Sequence, residues 1–194
     1  YRLQNSSKPH HYGDLAEDIL ELEKKLRLTL NEEQKLAVTT AMTAPISIIT
    51  GGPGTGKTLI QRAFLELYRS KNPSGEIMCC APTGRAARRM EESTGVSATT
   101  IHKALGLIAG EDGNYCEPEQ LEADLILVDE VSMMDIYLAG HLLYSIPQGS
   151  QLVLIGDVDQ LPSVGPGAVL KSLIDCGKIP VVRLEKVYRQ ALGS

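Results

Sequence analysis

The 194-residue sequence contains no tryptophan and one phenylalanine, and with seven tyrosines its aromatic share is only 4%. A core built from such a chain is aliphatic, which suits a Val/Ile/Leu-rich parallel sheet better than a β-sandwich. No apolar run approaches the roughly 18 residues that a membrane helix needs, and the polar stretch from Tyr1 to His10 has no signal-peptide core. Positive charge is not in excess either. Nineteen Lys and Arg face 24 Asp and Glu, a net charge of −5, which excludes nucleic-acid binding by bulk charge and leaves only a local patch. Cysteine is scarce: Cys79, Cys80, Cys116 and Cys176 form no CxxC pair. Neither a zinc site nor a disulfide framework is expected, and a reduced, cytoplasmic compartment is. What is present, 43% hydrophobic and 22% charged residues, is ordinary folded composition at a length for one domain with a small appendage.

Residues 1–13 read as a linker or as the frayed end of something longer. A helix starts at Asp14, with Glu17 at the capping-box position and a stripe of Leu15, Ile19, Leu22 and Leu26. A second helix runs from Asn31 to about Met42. The chain then alternates. Short apolar runs at 46–50, 76–80, 124–128, 151–155 and 180–184 are separated by helical patterns at 57–69, 85–93, 132–145 and 167–176. Strand–helix alternation of this kind predicts βαβ units and a mostly parallel sheet with helices on both faces. Adjacent Cys79 and Cys80 then point to opposite faces. The interval at about 106–120 breaks the pattern. Asp112-Gly113 is a favoured hairpin turn, and a small hairpin and a plain surface loop both fit.

Gly51-Gly-Pro-Gly-Thr-Gly-Lys57-Thr58 has the spacing GxxxxGK[ST], with an apolar strand before it and an amphipathic helix after it. Glycines permit close backbone approach, and successive N–H groups with the helix N-terminus face phosphates. The expected nucleotide contacts are Gly52, Pro53, Gly54, Thr55, Gly56, Lys57, Thr58 and Leu59. Lys57 supplies charge to the β- and γ-phosphates and the Thr58 hydroxyl ligates Mg²⁺. A second apolar run, Leu125-Ile-Leu-Val128, delivers Asp129 and Glu130 to its C-terminal end, where ligands of open α/β sheets sit. Asp129 is assigned to the Mg²⁺ shell and Glu130 to the attacking water. As a plain alternative, one of these acids caps the helix that follows. The residues point to a nucleoside triphosphatase with water as acceptor.

More specific motifs follow in order. Gly156-Asp157-Val-Asp159-Gln160-Leu-Pro162 resembles motif III of superfamily 1 helicases, Leu184-Glu-Lys-Val-Tyr188-Arg189-Gln190 their motif IV, and Ala81-Pro82-Thr83-Gly84-Arg85-Ala86-Ala87 motif Ia. Thr100-Ile101-His102 resembles the short motif after it, and Leu30-Asn-Glu-Glu-Gln34-Lys-Leu-Ala-Val38 the Q-motif. Val128-Asp-Glu-Val-Ser-Met-Met-Asp135 is especially similar to the RecD-like branch, superfamily 1B. The resemblance covers about residues 30–190. It implies a RecA-like P-loop motor domain over 30–194, preceded at 1–29 by the remnant of a helical region, with any hairpin at 106–120 in the place of a strand-separating pin.

The same resemblance implies ATP and Mg²⁺ as cofactors and 5′–3′ movement on single-stranded DNA. It also implies a second RecA-like domain, absent from this chain, as the other wall of the ATP cleft. The implied catalytic residues are Lys57, Glu130, Gln160 and Arg189. Gln160 lies beyond a strand end, where an amide can reach γ-phosphate and water. Arg189, a finger in the family, is otherwise a surface arginine. Gln34 reads adenine in the family, yet it also occupies the N3 position of a capping box with Asn31, and one glutamine does not easily do both. DNA contacts fall on Pro82, Thr83, Gly84, Arg85 and His102, although Arg85, Arg88 and Arg89 on one helix face also fit a solvated surface. Two rivals remain: the motor of a conjugative relaxase–helicase, decided by residues upstream of Tyr1, and a non-catalytic module holding ATP, which Lys57, Thr58, Asp129 and Glu130 argue against.

Overall fold

In a computed structural model, which describes residues 12–107, 117–161 and 165–187, the alternating chain becomes one six-stranded sheet. Two helices come first, α1 (Leu15–Leu26) and α2 (Glu32–Thr43), then β1 (Ile46–Gly51), α3 (Lys57–Lys71), β2 (Ile77–Ala81) and α4 (Gly84–Thr94). After them come β3 (Ala98–Thr100), α5 (Ile101–Ala104), β4 (Leu125–Val128), a 3₁₀ turn (Val131–Met133) and α6 (Ile136–Ser145). The chain closes with β5 (Gln151–Gly156), α7 (Val169–Asp175) and β6 (Val181–Leu184). The strand order is β3-β2-β4-β5-β1-β6, and every pairing is parallel. All strand C-termini therefore reach one edge.

Strand alternation sorts the aliphatic side chains into two cores. Leu125, Leu127, Val153 and Ile155 face α1, α2 and α3, and Ile126, Val128, Leu152 and Leu154 face α6 and α7. Cys79 goes to the first face and Cys80 to the second, as their adjacency requires. Asp14 caps α1 by accepting from Ala16 N (3.0 Å) and Glu17 N (3.4 Å). The α1 stripe of Leu15, Ile19 and Leu22 is buried in the same core as α3, at about 1.5–3 kcal/mol for each side chain. Asp18–Lys71 (2.6 Å) and Lys25–Glu66 pin α1 to α3 from outside.

Three elements differ from the sequence reading, the four-residue α5 among them. The strand β3 was not anticipated: it is three half-buried residues, Ala-Thr-Thr, too short for any alternation. The single helix expected over 132–145 is a 3₁₀ turn followed by α6, which Asp135 starts afresh by accepting from Leu138 N at 2.8 Å. Apolar residues run through the break and conceal it. The hairpin-or-loop interval lies mostly outside the described residues.

Candidate functional site

The phosphate-loop motif leaves β1 and turns into α3 as its spacing requires. Gly56 has φ +89°, and a Cβ on Gly51 would lie 2.6 Å from Thr55 Oγ1 and 2.8 Å from Leu184 Cβ. Thr55 closes the loop on itself, its hydroxyl donating to Gly52 O at 2.8 Å. Lys57 Nζ donates to Gly51 O (2.5 Å) and Gly52 O (3.0 Å), so the ammonium lies folded over the loop. Thr58 is exposed at the start of α3.

Two strands away, Asp129 N donates to Cys80 O at 3.0 Å and so extends the β2–β4 ladder by one rung. Glu130 then turns sharply, with φ +54°, and its N–H donates to Asp129 Oδ1 at 2.8 Å. Burial pushes the Glu130 carboxyl above its ordinary range and Asp129 adds to the effect, while Lys57 and Arg89 pull it back. Arg89, read from sequence as one of a basic helix face, thus acts on an acid across the edge. From β5, Gln160 is held by Ser132 Oγ, which donates to its Oε1 at 2.9 Å and leaves the amide N–H₂ as its outward donor. Thr50 Oγ1 accepts from Val158 N at 3.1 Å and ties this loop to β1. The register Thr50↔Gly156 and Val128↔Leu154 brings Lys57, Asp129, Glu130 and Gln160 to one sheet edge.

Gln34 performs the capping role. Its Oε1 accepts from Asn31 N at 2.9 Å, Asn31 Oδ1 accepts from Gln34 N at 2.9 Å, and its Nε2 donates to Thr55 O at 3.2 Å. The side chain is fully buried, so reaching adenine would require breaking these bonds. Beside it opens a cleft of about 950 Å³ walled by residues 26–31, Gly56, Thr58, Arg62 and Val187. Sequence reasoning missed this wall. Glu23 shapes it by accepting from Leu30 N at 2.6 Å, and Arg27 enters it with φ +52°.

The expected DNA-contact residues also reach this edge. The pairing Ala81↔Thr100 places Pro82–Arg85 and His102 just beyond neighbouring strand ends. The Thr83 hydroxyl caps α4 by accepting from Ala86 N at 3.2 Å, and Gly84 and Arg85 are exposed. Arg189 lies outside the described residues. Among those described, no group of three or more His, Cys, Asp or Glu could hold a metal ion, and no helix is long and apolar enough to cross a membrane. Thr58 and Asp129 offer hard oxygen donors of the kind Mg²⁺ takes together with water and phosphate.

A parallel sheet carrying this loop and acid pair defines a phosphate-binding-loop α/β domain of the RecA-like kind. The chain belongs to the family described as AAA domain, whose profile matches residues 34–166, a family of nucleotide-binding domains. It is 43% identical over 171 residues to the ATP-dependent RecD2 DNA helicase of Deinococcus radiodurans, covering 87% of this chain and 23% of that protein. Identity is 35% over 189 residues to the RecBCD enzyme subunit RecD of Mycolicibacterium smegmatis, covering 84% of this chain and 34% of that one. The crystal structure of a Pif1 helicase from Bacteroides shares the fold, with a TM-score of 0.58 at 23% identity over 84% of this chain and 43% of that one. The chain spans about a quarter to a third of the length of the curated relatives it matches.

Proposed function

We infer that this chain is the first motor domain of a RecD-type DNA helicase, which binds ATP with Mg²⁺ and hydrolyses it to move 5′–3′ along single-stranded DNA. The observation that carries the reading is the convergence of Lys57, Asp129, Glu130 and Gln160 on one sheet edge. Lys57 exchanges the loop carbonyls for β- and γ-phosphate oxygens. Thr58 and Asp129 would hold the Mg²⁺, which would supply positive charge against the charge that develops on the phosphates. Glu130, with its proton affinity raised by burial, accepts the proton of the attacking water. Gln160, its carbonyl engaged by Ser132, offers N–H to the γ-phosphate. Arg189 is proposed as the transition-state cation, and Pro82, Thr83, Gly84, Arg85 and His102 as the DNA contacts. The base rests against residues 26–31. Gln34 reaches adenine only by exchanging its present bonds. Residues 30–194 are the motor unit, with a second RecA-like domain of the parent protein closing the cleft.

The roles separate experimentally. Lys57 pairs with phosphate before reaction, whereas Glu130 acts on water during it. In the longer protein that carries this chain, Lys57→Ala is expected to abolish ATP binding. Glu130→Gln is expected to keep it and to lower phosphate release at least about 10²-fold. Titration calorimetry with ATP and single-turnover phosphate release measure the two. Equal loss of binding in both variants contradicts the assignment.

A further inference from the structure

The chain leaving β6 passes directly over the phosphate loop. Gly51 pairs with Leu184, whose Cβ and carbonyl would lie 2.8 and 3.0 Å from a Cβ on that glycine. Three residues on, Val187 Cγ1 would lie 3.5 Å from a Cβ on Gly54, and Lys186 and Val187 line the cleft that opens beside the loop. This exit is held from one side by a side chain of α2. Glu33 Oε2, in the first turn of α2, accepts from Glu185 N at 2.9 Å and from Lys186 N at 3.2 Å. The two donors hold the Glu33 carboxyl below its ordinary range. The same turn carries Asn31, another lining residue of the cleft, and Gln34, which donates to Thr55 O in the loop.

We propose that Glu33 is a positioning residue for the nucleoside half of the substrate: its carboxylate clamps the exit of β6 to α2 and so sets the gap between the Lys186–Val187 wall and residues 26–31. The proposal rests on the nucleotide reading above and adds a division of labour to it. Phosphate falls to the backbone N–H groups of the loop and to Lys57, whose bonds run to Gly51 O and Gly52 O and involve neither Lys186 nor Val187. The nucleoside falls to the wall those two residues form. The loss of Glu33 therefore weakens a ligand that carries base and ribose more than one that is phosphate alone. An acid in a first helical turn also stabilises its helix, but that role alone would not distinguish the two ligands.

The test uses the longer protein containing this chain, with Mg²⁺, titrated with ATP and separately with inorganic tripolyphosphate. Glu33→Ala is expected to weaken ATP about tenfold, the scale of a lost charge-assisted bond pair, and to leave tripolyphosphate within about twofold. Glu33→Gln keeps an oxygen acceptor in place; it is expected to melt with the parent and to bind ATP with an affinity between those of Glu33→Ala and the parent. Unchanged ATP affinity in Glu33→Ala overturns the proposal, and so does a parallel loss of both ligands. Lys57→Ala, run alongside, is expected to lose both. If it retains both, the nucleotide reading fails and the clamp with it, whereas a silent Glu33 beside a responsive Lys57 removes the clamp alone.

Discussion

Glu130 occupies the left-handed region, a placement that costs a side chain other than glycine about 1–3 kcal/mol, and it carries a carboxyl that resists ionisation. Both costs fall on a residue whose proposed task is to take a proton. The sign of the electrostatic cost is fixed by linkage. A folded-state pKa above the unfolded one means that the native state binds the proton more tightly, so stability falls as pH rises from the ordinary carboxylate range through the raised value. With neither nucleotide nor Mg²⁺ present, Glu130→Gln is expected to melt above the parent chain at neutral pH, with the gap closing below about pH 4.5, as thermal denaturation across that range would show. Lys57, Thr58, Asp129 and Glu130 were legible because each follows an aliphatic strand at a fixed offset. Glu33 was not, because its partners lie 152 and 153 residues away and nothing local marks them. Gln34 was legible only as an ambiguity between cap and base reader, and its place in the fold supplies the cap.

Among the elements, α4 carries the proposed DNA contact. Thr83 fixes its start, Ala86, Ala87 and Met90 bury its inner face, and Arg85 and Arg88 stand exposed on the other. Arg85→Ala is expected to weaken binding of labelled single-stranded DNA about two- to fivefold and to reduce the salt slope by about one contact. Arg69, exposed near the end of α3, is the control and is expected to leave binding unchanged. Equal effects at the two positions would remove α4 from the interface. Arg62 would be a poor control, since it borders the nucleotide cleft. Five of the six strands were readable as aliphatic runs, the four inner ones because a parallel sheet buries both faces. The sixth, β3, pairs only with β2 and needs no apolar run. The start of α6 was hidden because Asp135, its cap, sits within Val-Ser-Met-Met-Asp-Ile, where apolar neighbours mask the punctuation.

For the whole molecule, the two cores are separated by one sheet, and neighbouring thiols of β2 enter them from opposite sides. Burial raises both Cys79 and Cys80 to about 12, while Cys176 is exposed. Alkylation requires access, so of these three the exposed Cys176 is expected to react first with iodoacetamide. Cys79 and Cys80 wait for the sheet to open. The chain therefore carries its own unfolding clock, with one hand in each core. If the domain opens as a unit, peptide mass spectrometry should find Cys79 and Cys80 modified at the same rate. If one helical layer detaches first, its own cysteine should run ahead. A ligand that binds only the closed fold deepens the well by RT ln(1 + [L]/Kd). Adding Mg-ATP should then slow both hands by the same factor, and that factor reads nucleotide affinity without any turnover at all.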